Sequence, residues 1–447
     1  VNLKIAVIGS GYVGTTTAAF LANAGHEVCA LDVDENKVSK INSGKAPFYE
    51  AGLNELISSG ISTDSLTATT NYETAITNAD IVISCVGTPD LPDGSSNLEY
   101  VFSAAKQAAK FLKPGAIYAQ KSTVPVGTGR KVIKLLPKTV RYCSNPEFLR
   151  EGSAVLDTLL FDRIVVGSDN KADAEKLCDL YKTIEKNAES ISKISGGIGA
   201  NELSNHKGSY ITTTLESAEL IKVTANAFLA LKISFANSIA KLCDEADGDI
   251  NDVMAAVGAD KRIGRAFFNA GRGYGGGCFP KDVSGLIGSA LEYGVELPIM
   301  HAATETNESM AGYIVTKAEK ALGDLRGKRI ALLGLAFKAG TSDTRKSPAI
   351  KTANFMAQAG ALISAYDPEA GEEASEDLHK NIALKNSAKE CLDAAEIICV
   401  ATDWPEFTDI KTLKQLAPLA KTVIDAMNCL NKEEAQKLGL NYIGVGR

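Results

Sequence analysis

The 447-residue sequence predicts an α/β chain built from two Rossmann-like, doubly wound parallel-sheet domains joined by a long central helix. Three observations predict it. Short apolar runs alternate with amphipathic stretches in the N-terminal part and again in the last third, the pattern of buried parallel strands with crossover helices. The window Leu215–Glu245 holds no Gly or Pro, and a helix of that length spans about 46 Å, long for a globular domain. The chain length, at roughly 150 residues per domain, accommodates two or three domains. The expected boundaries are 1–195 for an N-terminal α/β domain, 196–312 for a central helical domain and 313–447 for a second, smaller α/β domain.

The elements follow in order. Lys4–Ile8, Glu27–Leu31, Ile81–Val86 and Ile117–Gln120 are short apolar strands bounded by Gly, Asp, Thr or Pro, and Thr15–Ala24 and Leu98–Leu112 are amphipathic helices between them. Cys143–Asn145 and Arg163–Val166 read as further strands. Ser195–Thr214 is rich in Gly, Ser, Asn and Thr and is expected to be an exposed loop. Apolar residues recur along the central helix at Leu220, Val223, Ala227, Leu231 and Ser234/Phe235, and a helix of this length is most economically one that connects the domains and also packs on a partner subunit. In the last third, Arg329–Leu333, Leu362–Tyr366, Ile397–Ala401 and Thr422–Asp425 are strands and Pro348–Ala359 is a helix.

Composition excludes several classes. Hydrophobic residues make up 45% and charged residues 23%, with a net charge of −7 and no long Lys/Arg run. Nucleic acid and anionic membrane are therefore poor partners. The nine cysteines are scattered singly and the four histidines lie far apart, which argues against a metal site or a disulfide framework and for a reducing, cytoplasmic compartment. Val1–Gly9 reads as a strand rather than a leader, and no apolar stretch approaches the ~20 residues of a membrane helix.

The motifs carry more. Gly9-Ser10-Gly11-Tyr12-Val13-Gly14 follows a strand and opens a helix, and Asp32 ends the next strand 23 residues after Gly9. The first glycine permits the turn, the second lets a pyrophosphate approach the backbone, and the third lets helix and strand pack. An acid at the second strand end holds ribose hydroxyls and favours NAD over NADP. Thr88 and the run Lys121–Gly127, with Ser122 and Thr123, add small hydroxyls at two further strand ends. Gly273-Tyr274-Gly275-Gly276-Gly277-Cys278-Phe279-Pro280-Lys281-Asp282 places four glycines, where a ligand or another backbone can approach, before a thiol at a helix start. A thiol there, beside Lys281, gains thiolate character and suits a nucleophile.

Glu219, Lys222 and Asn226 share a face of the central helix at i, i+3 and i+7, either as a solvated ion pair with a polar neighbour or with a partly buried Lys222 acting as base or oxyanion stabiliser. The carboxylates Glu147 and Glu151 lie in Ser144–Gly152, a loop after a strand, where they suit base catalysis, cofactor contacts or a helix start. Lys338 and Arg345, in the turn after Arg329–Leu333, are candidate phosphate ligands. Tyr313 and Lys317 have the Tyr-x-x-x-Lys spacing of short-chain dehydrogenases but fall outside the first nucleotide fold and read as an ordinary helix face.

Together, Gly9–Gly14, Ser122–Val126, Asn145–Gly152, Lys222–Ala230, Arg262-Ile263-Gly264, Gly275–Asp282, Gly334–Lys338, Asp343–Arg345 and Thr402–Phe407 resemble the UDP-glucose/GDP-mannose dehydrogenase family, and within it the UDP-glucose 6-dehydrogenases. The resemblance implies NAD-dependent, four-electron oxidation of the C6 alcohol of a nucleotide sugar to a uronic acid, by way of a Cys278 thiohemiacetal and thioester. It implies that Lys222 stabilises an oxyanion, Asp282 assists proton transfer, Glu147 takes part in thioester hydrolysis, and Thr123 and Asn226 position water and the C6 oxygen. Cofactor positions implied are Gly9, Gly11, Tyr12, Val13, Gly14, Asp32, Lys37, Thr88, Thr123, Glu151, Lys281 and Arg345. Substrate positions implied are Glu147, Phe148, Leu149, Arg150, Glu151, Lys222, Asn226, Phe267, Phe268, Asn269, Ala270, Gly271, Gly275 and Lys338. Arg262 matches an arginine that reaches the partner subunit's sugar site, which implies a homodimer at least, and no metal is implied.

The Gly-Gly-Gly-Cys-Phe-Pro-Lys-Asp form and Asp403–Phe407 resemble the UDP-glucose branch, so UDP-glucose is the expected substrate. GDP-mannose or another UDP-hexose is the same-class alternative; a one-step hydroxy-acid dehydrogenase and a silent nucleotide-sugar sensor are the others. Three departures from the family pattern stand out: Gly277 for the usual Ser, Asp425-Ala426-Met427-Asn428 for Asp-Gly-Arg-Asn, and the Ser195–Thr214 insertion.

Overall fold

The computed structural model describes residues 2–91, 95–150, 152–196 and 200–447. The chain divides into two compact units, Val1–Thr224 and Ala225–Arg447, with the division inside the central helix.

The first unit is built on strands β1 (Lys4–Ile8), β2 (Glu27–Leu31), β3 (Leu66–Thr69), β4 (Ile81–Ser84), β5 (Ile117–Gln120), β6 (Arg141–Ser144), β7 (Arg163–Gly167) and β8 (Ser209–Thr213). They form one sheet in the order β3-β2-β1-β4-β5-β6-β7-β8. Alternation along β1 sends Ile5 and Val7 into the core on one face and Ala6 and Ile8 into the core on the other. Both faces are thus covered, as a wholly apolar run requires. The sheet is parallel except where β6 meets β7, which pair antiparallel through Ser144 and Gly167.

Ser195–Thr214 is not the exposed loop its composition suggested. It contains a short helix, Ala200–Asn205, and β8, which pairs in parallel with β7 from Arg163↔Ser209 to Gly167↔Thr213 and extends the sheet. Residues 197–199 of that segment lie outside the described residues. The Ile211 and Thr212 pair within Ser209–Thr213 is β-branched, a strand signal that the surrounding Gly, Ser and Asn obscured.

The second unit repeats the plan with β9 (Arg329–Leu333), β10 (Leu362–Tyr366), β11 (Ala383–Leu384), β12 (Ile397–Val400), β13 (Thr422–Asp425) and β14 (Asn441–Ile443), in the order β11-β10-β9-β12-β13-β14 and parallel throughout. Ile330 and Leu332 enter one core, Ala331 and Leu333 the other. In both sheets the strand order reverses beside the first strand, between β1 and β4 and between β9 and β12. Such a reversal opens a crevice at the carboxyl ends of the strands.

The central helix runs from Leu215 to Ala246, 32 residues. It is long and apolar enough, by length and composition, to cross a membrane, contrary to the reading of the sequence, but half of its most apolar window is buried, as in a core helix.

Candidate active site

In the first unit the glycine turn divides its labour. Gly9 has φ +95°, and a Cβ there would lie 2.8 Å from the Cys85 carbonyl oxygen. A Cβ on Gly14 would lie 1.8 Å from the Gly9 oxygen, so only hydrogen fits. Around Gly11 a Cβ meets nothing within 4 Å, which leaves room for a ligand at the N-terminus of helix Tyr12–Asn23. Tyr12 and Val13, half-buried, form its first turn. At the end of β2, Asp32 accepts hydrogen bonds from the Ser10 amide at 2.6 Å and the Asp34 amide at 3.0 Å, with the Lys37 ammonium 3.7 Å away. An open second glycine, a helix terminus that donates amides and an anchored acid that accepts are the groups that a dinucleotide needs. The next two strand ends are tied together, as Thr88 Oγ1 donates to the Thr123 carbonyl at 3.0 Å and Ser122 Oγ to the Val86 carbonyl at 2.7 Å.

Beyond β6, Glu147 is buried and folds back to accept from the Leu149 amide at 2.5 Å. Its other oxygen meets the Lys222 ammonium at 3.3 Å, and Lys222 is itself only 5% exposed. Lys222 also lies 5.5 Å from the centre of the Phe148 ring, on which the Arg163 guanidinium stacks at 3.9 Å. Lys222 is therefore a buried cation with a buried partner, and that partner is not Glu219. Glu219 turns away and accepts the Gly127 and Gly129 amides, each at 2.7 Å. Burial pushes its carboxyl up to about 7. Arg150 is exposed and spends its guanidinium and amide on Asp157, Leu149 is half-buried, and Glu151 lies outside the described residues.

Two supports of this loop had no signal in the sequence. Buried Lys121 donates to the Tyr181 hydroxyl at 3.1 Å, Tyr181 to Asn145 Oδ1 at 2.5 Å, and Asn145 Nδ2 to the Val165 carbonyl at 2.9 Å, a chain that binds β5, β6 and β7 together. Glu50, also buried, accepts the Gly152 amide at 3.0 Å and the Val155 amide at 3.3 Å. Each joins residues far apart in sequence, beyond the reach of any local pattern.

In the second unit Cys278 is the N-cap of helix Phe279–Glu292, with Pro280 in the first turn. It is the exposed one of nine cysteines; the other eight are buried or half-buried. Burial raises all eight of those thiols, Cys85, Cys143, Cys391 and Cys399 up to about 12. One turn on, Asp282 is 3% exposed and takes a 2.5 Å hydrogen bond from Asn226 Nδ2 on one oxygen and the Lys281 ammonium at 3.3 Å near the other. Asn226 lies one turn beyond Lys222 on the central helix.

The glycines before Cys278 make room for another stretch of backbone. A Cβ on Gly275 would sit 2.4 Å from the Lys346 carbonyl, and one on Gly277 would sit 2.4 Å from the Arg345 guanidinium. The space that a larger residue at 277 needs is thus filled by Arg345, which pairs with Asp343 at 2.6 Å.

The remaining candidates line the preceding segment. Phe267 holds a left-handed φ of +65° with its ring 5.9 Å from that of Phe279, Phe268 is buried under the Lys232 ammonium, Asn269 is exposed and Ala270 buried. Gly271 donates to Asn237 Oδ1 at 2.8 Å. Arg262 is exposed and pairs with Asp260 at 2.6 Å. Lys338 is half-buried, its ammonium 5.6 Å from the Phe337 ring. Tyr313 and Lys317 both bind Asp244, which also accepts the Gly446 amide, so that pair is a structural clamp.

Comparison with known proteins identifies the family. Residues 3–185 match the NAD binding domain of the UDP-glucose/GDP-mannose dehydrogenase family, residues 216–309 its central domain and residues 331–432 its UDP binding domain. The sequence is 38% identical to the UDP-glucose 6-dehydrogenase TuaD of Bacillus subtilis, over 99% of this chain and 93% of that protein. It is 36% identical to the UDP-glucose 6-dehydrogenase of Rhizobium meliloti over the whole of both. Among solved structures, a UDP-glucose dehydrogenase from Pyrobaculum islandicum superposes with a TM-score of 0.85 at 34% identity, covering 100% of this chain and 98% of that one.

Proposed function

The chain belongs to the UDP-glucose/GDP-mannose dehydrogenase family, and on that premise we propose that it oxidises the C6 alcohol of UDP-glucose twice to UDP-glucuronate through covalent intermediates on Cys278. It is an NAD-dependent oxidoreductase, and its N-terminal domain is the family's NAD binding domain. The residues fit that cofactor: Gly11 leaves the space, helix Tyr12–Asn23 supplies amides, and Asp32 supplies the ribose acceptor. NAD, when bound, supplies the hydride acceptor; the rest falls to side chains.

The observation that carries the reading is the contrast among the cysteines. Eight thiols are held protonated by burial, while Cys278 is exposed at a helix N-cap, where the helix dipole favours thiolate. A thiolate that adds to the C6 aldehyde forms a thiohemiacetal, loss of a second hydride from C6 leaves a thioester, and water releases the carboxylate and the thiol. Asp282, held by Asn226 and Lys281, is fixed to pass protons through water next to that thiol. Lys222, buried and charged, suits stabilisation of oxyanions, and Glu147, held against it, suits direction of the hydrolytic water. UDP-glucose is favoured over other nucleotide sugars by the curated relatives at 36–38% identity that carry that name.

The test is Cys278→Ser. Turnover of UDP-glucose should fall by at least about a thousandfold, as for loss of a covalent nucleophile, while NAD and UDP-glucose bind with wild-type affinity. Full four-electron turnover in that variant would overturn the covalent route.

The same reading extends to assembly. Phe228, Phe235 and Leu242, seven residues apart on the central helix, are 58%, 48% and 61% exposed. A stripe of large apolar side chains at heptad spacing supports a homodimer through this helix. Phe228→Glu with Phe235→Glu should shift the sedimenting mass from two chains to one, and an unchanged mass would remove the helix from the interface. The eight sequestered thiols support a reducing, cytoplasmic location.

A further inference from the structure

Arg272 is the largest fully buried side chain among the described residues, 1% exposed, and it belongs to the segment that leads to Cys278. Its amide donates to the Ala426 carbonyl at 2.8 Å, just past the end of β13. Its Nη2 donates to the Phe337 carbonyl at 2.8 Å and is shared with the Ala336 carbonyl and Thr402 Oγ1, both at 3.2 Å. Its Nε lies 3.0 Å from the Met427 sulfur. Ala336 and Phe337 follow β9 and Thr402 follows β12, so the guanidinium sits at the strand-order reversal of this unit, where open α/β sheets receive ligands.

Every one of these partners is neutral. Nη1 is buried and has no acceptor among the described residues. The carboxylates that act on Arg272 from a distance are Asp403 and Asp367. Asp367 already accepts the amides of Leu335, Ala336, Glu369 and Ala370 and the Trp404 indole N–H. A buried charge with neutral neighbours carries a desolvation cost that nothing beside it offsets, and burial draws this guanidinium down to about 10. If the side chain served only to pin the three strand-end loops, a neutral donor of similar size would do so without that cost. A cation kept there is complementary to an anion that arrives later, and a guanidinium is the side chain best matched to phosphate oxygens.

We propose that Arg272 is the buried cation with which the C-terminal unit receives the diphosphate of its nucleotide ligand. The proposal rests on the nucleotide-sugar reading above and adds to it a residue that the sequence motifs passed over.

The test compares UDP with uridine by equilibrium titration of the full-length protein. In Arg272→Met the affinity for UDP should fall at least tenfold while that for uridine changes less than twofold, and Arg272→Lys should recover most of the loss. Arg272→Gln, which keeps donors but no charge, replaces Met if that variant fails to fold, with the same expectation. Equal losses for UDP and uridine, or no loss for UDP, would overturn the proposal and leave the reading of the reaction intact. A wild-type protein that binds no nucleoside diphosphate would overturn both.

Discussion

The two sheets begin in the same way and then diverge. Gly9 after β1 and Gly334 after β9 both have φ +95° and both press against the loop after the neighbouring strand, Cys85 in one case and Thr402 in the other. Each glycine amide donates to the carbonyl at the end of the adjacent strand, Leu31 or Tyr366, at 2.7 and 2.8 Å. Each such strand is followed by an aspartate, Asp32 or Asp367, that accepts amides from the glycine turn. After that the units part company. In the first, a helix opens at Tyr12 and presents its N-terminus to the crevice; in the second, the chain wanders through Phe337, Lys338 and Arg345 before a helix begins at Pro348. One crevice therefore offers backbone amides and a partly committed carboxylate, the other offers cationic side chains and a carboxylate with no lone pair to spare. The same start serves a dinucleotide in one and a nucleoside diphosphate in the other.

The largest effects are expected from added methyl groups in the first glycine turn. Gly14→Ala puts a methyl 1.8 Å from the Gly9 carbonyl and should cost at least about 3 kcal/mol by overpacking, enough to lose NAD binding and lower the melting temperature. Gly11→Ala meets nothing within 4 Å, so it should melt as the wild type does yet lose NAD. If both melt alike, the division of labour among the glycines is wrong.

The aspartates should separate next. Asp367→Ala leaves three buried and two part-buried donors without an acceptor and should destabilise the protein by about 3 kcal/mol or more, seen as a lower midpoint in urea. Asp32→Ala should weaken NAD by about ten- to a hundredfold, measured by fluorescence titration, with a smaller effect on stability. The reverse pattern would exchange the roles of the two.

Glu219 offers a pH test inside the first unit. Its carboxyl is raised to about 7, so the stability it contributes is full at low pH and is lost as pH rises from about 4.5 to 7. Glu219→Gln lacks that titration. Its thermal midpoint relative to wild type should therefore climb between pH 5 and pH 8, by the equivalent of up to about 3 kcal/mol; parallel midpoints would show that the carboxylate is compensated. The smallest effect is expected for Gly277→Ser. The atoms nearest a Cβ there belong to the flexible end of Arg345, so stability should change by less than about 1 kcal/mol, read as a nearly unchanged melting temperature.

Much of this was legible in the sequence because it is local. Glycine spacing, the strand-end Asp32 and the Pro after Cys278 each act within a few residues, and the long helix announced itself by the absence of breakers. What stayed hidden is long-range. Nothing near Glu219 signals that its partners are the amides of Gly127 and Gly129 rather than Lys222, and nothing near Arg272 signals that three strand ends close around it. Strand β8 was obscured for the opposite reason, since local composition spoke for a loop and pairing with β7 overrode it.

A double oxidation at one carbon fixes the ratio of NADH released to UDP-glucose consumed, and that ratio is the measurement to make. Two NADH are expected for each UDP-glucose; one NADH, with an aldehyde released, would mean a single oxidation and no thioester.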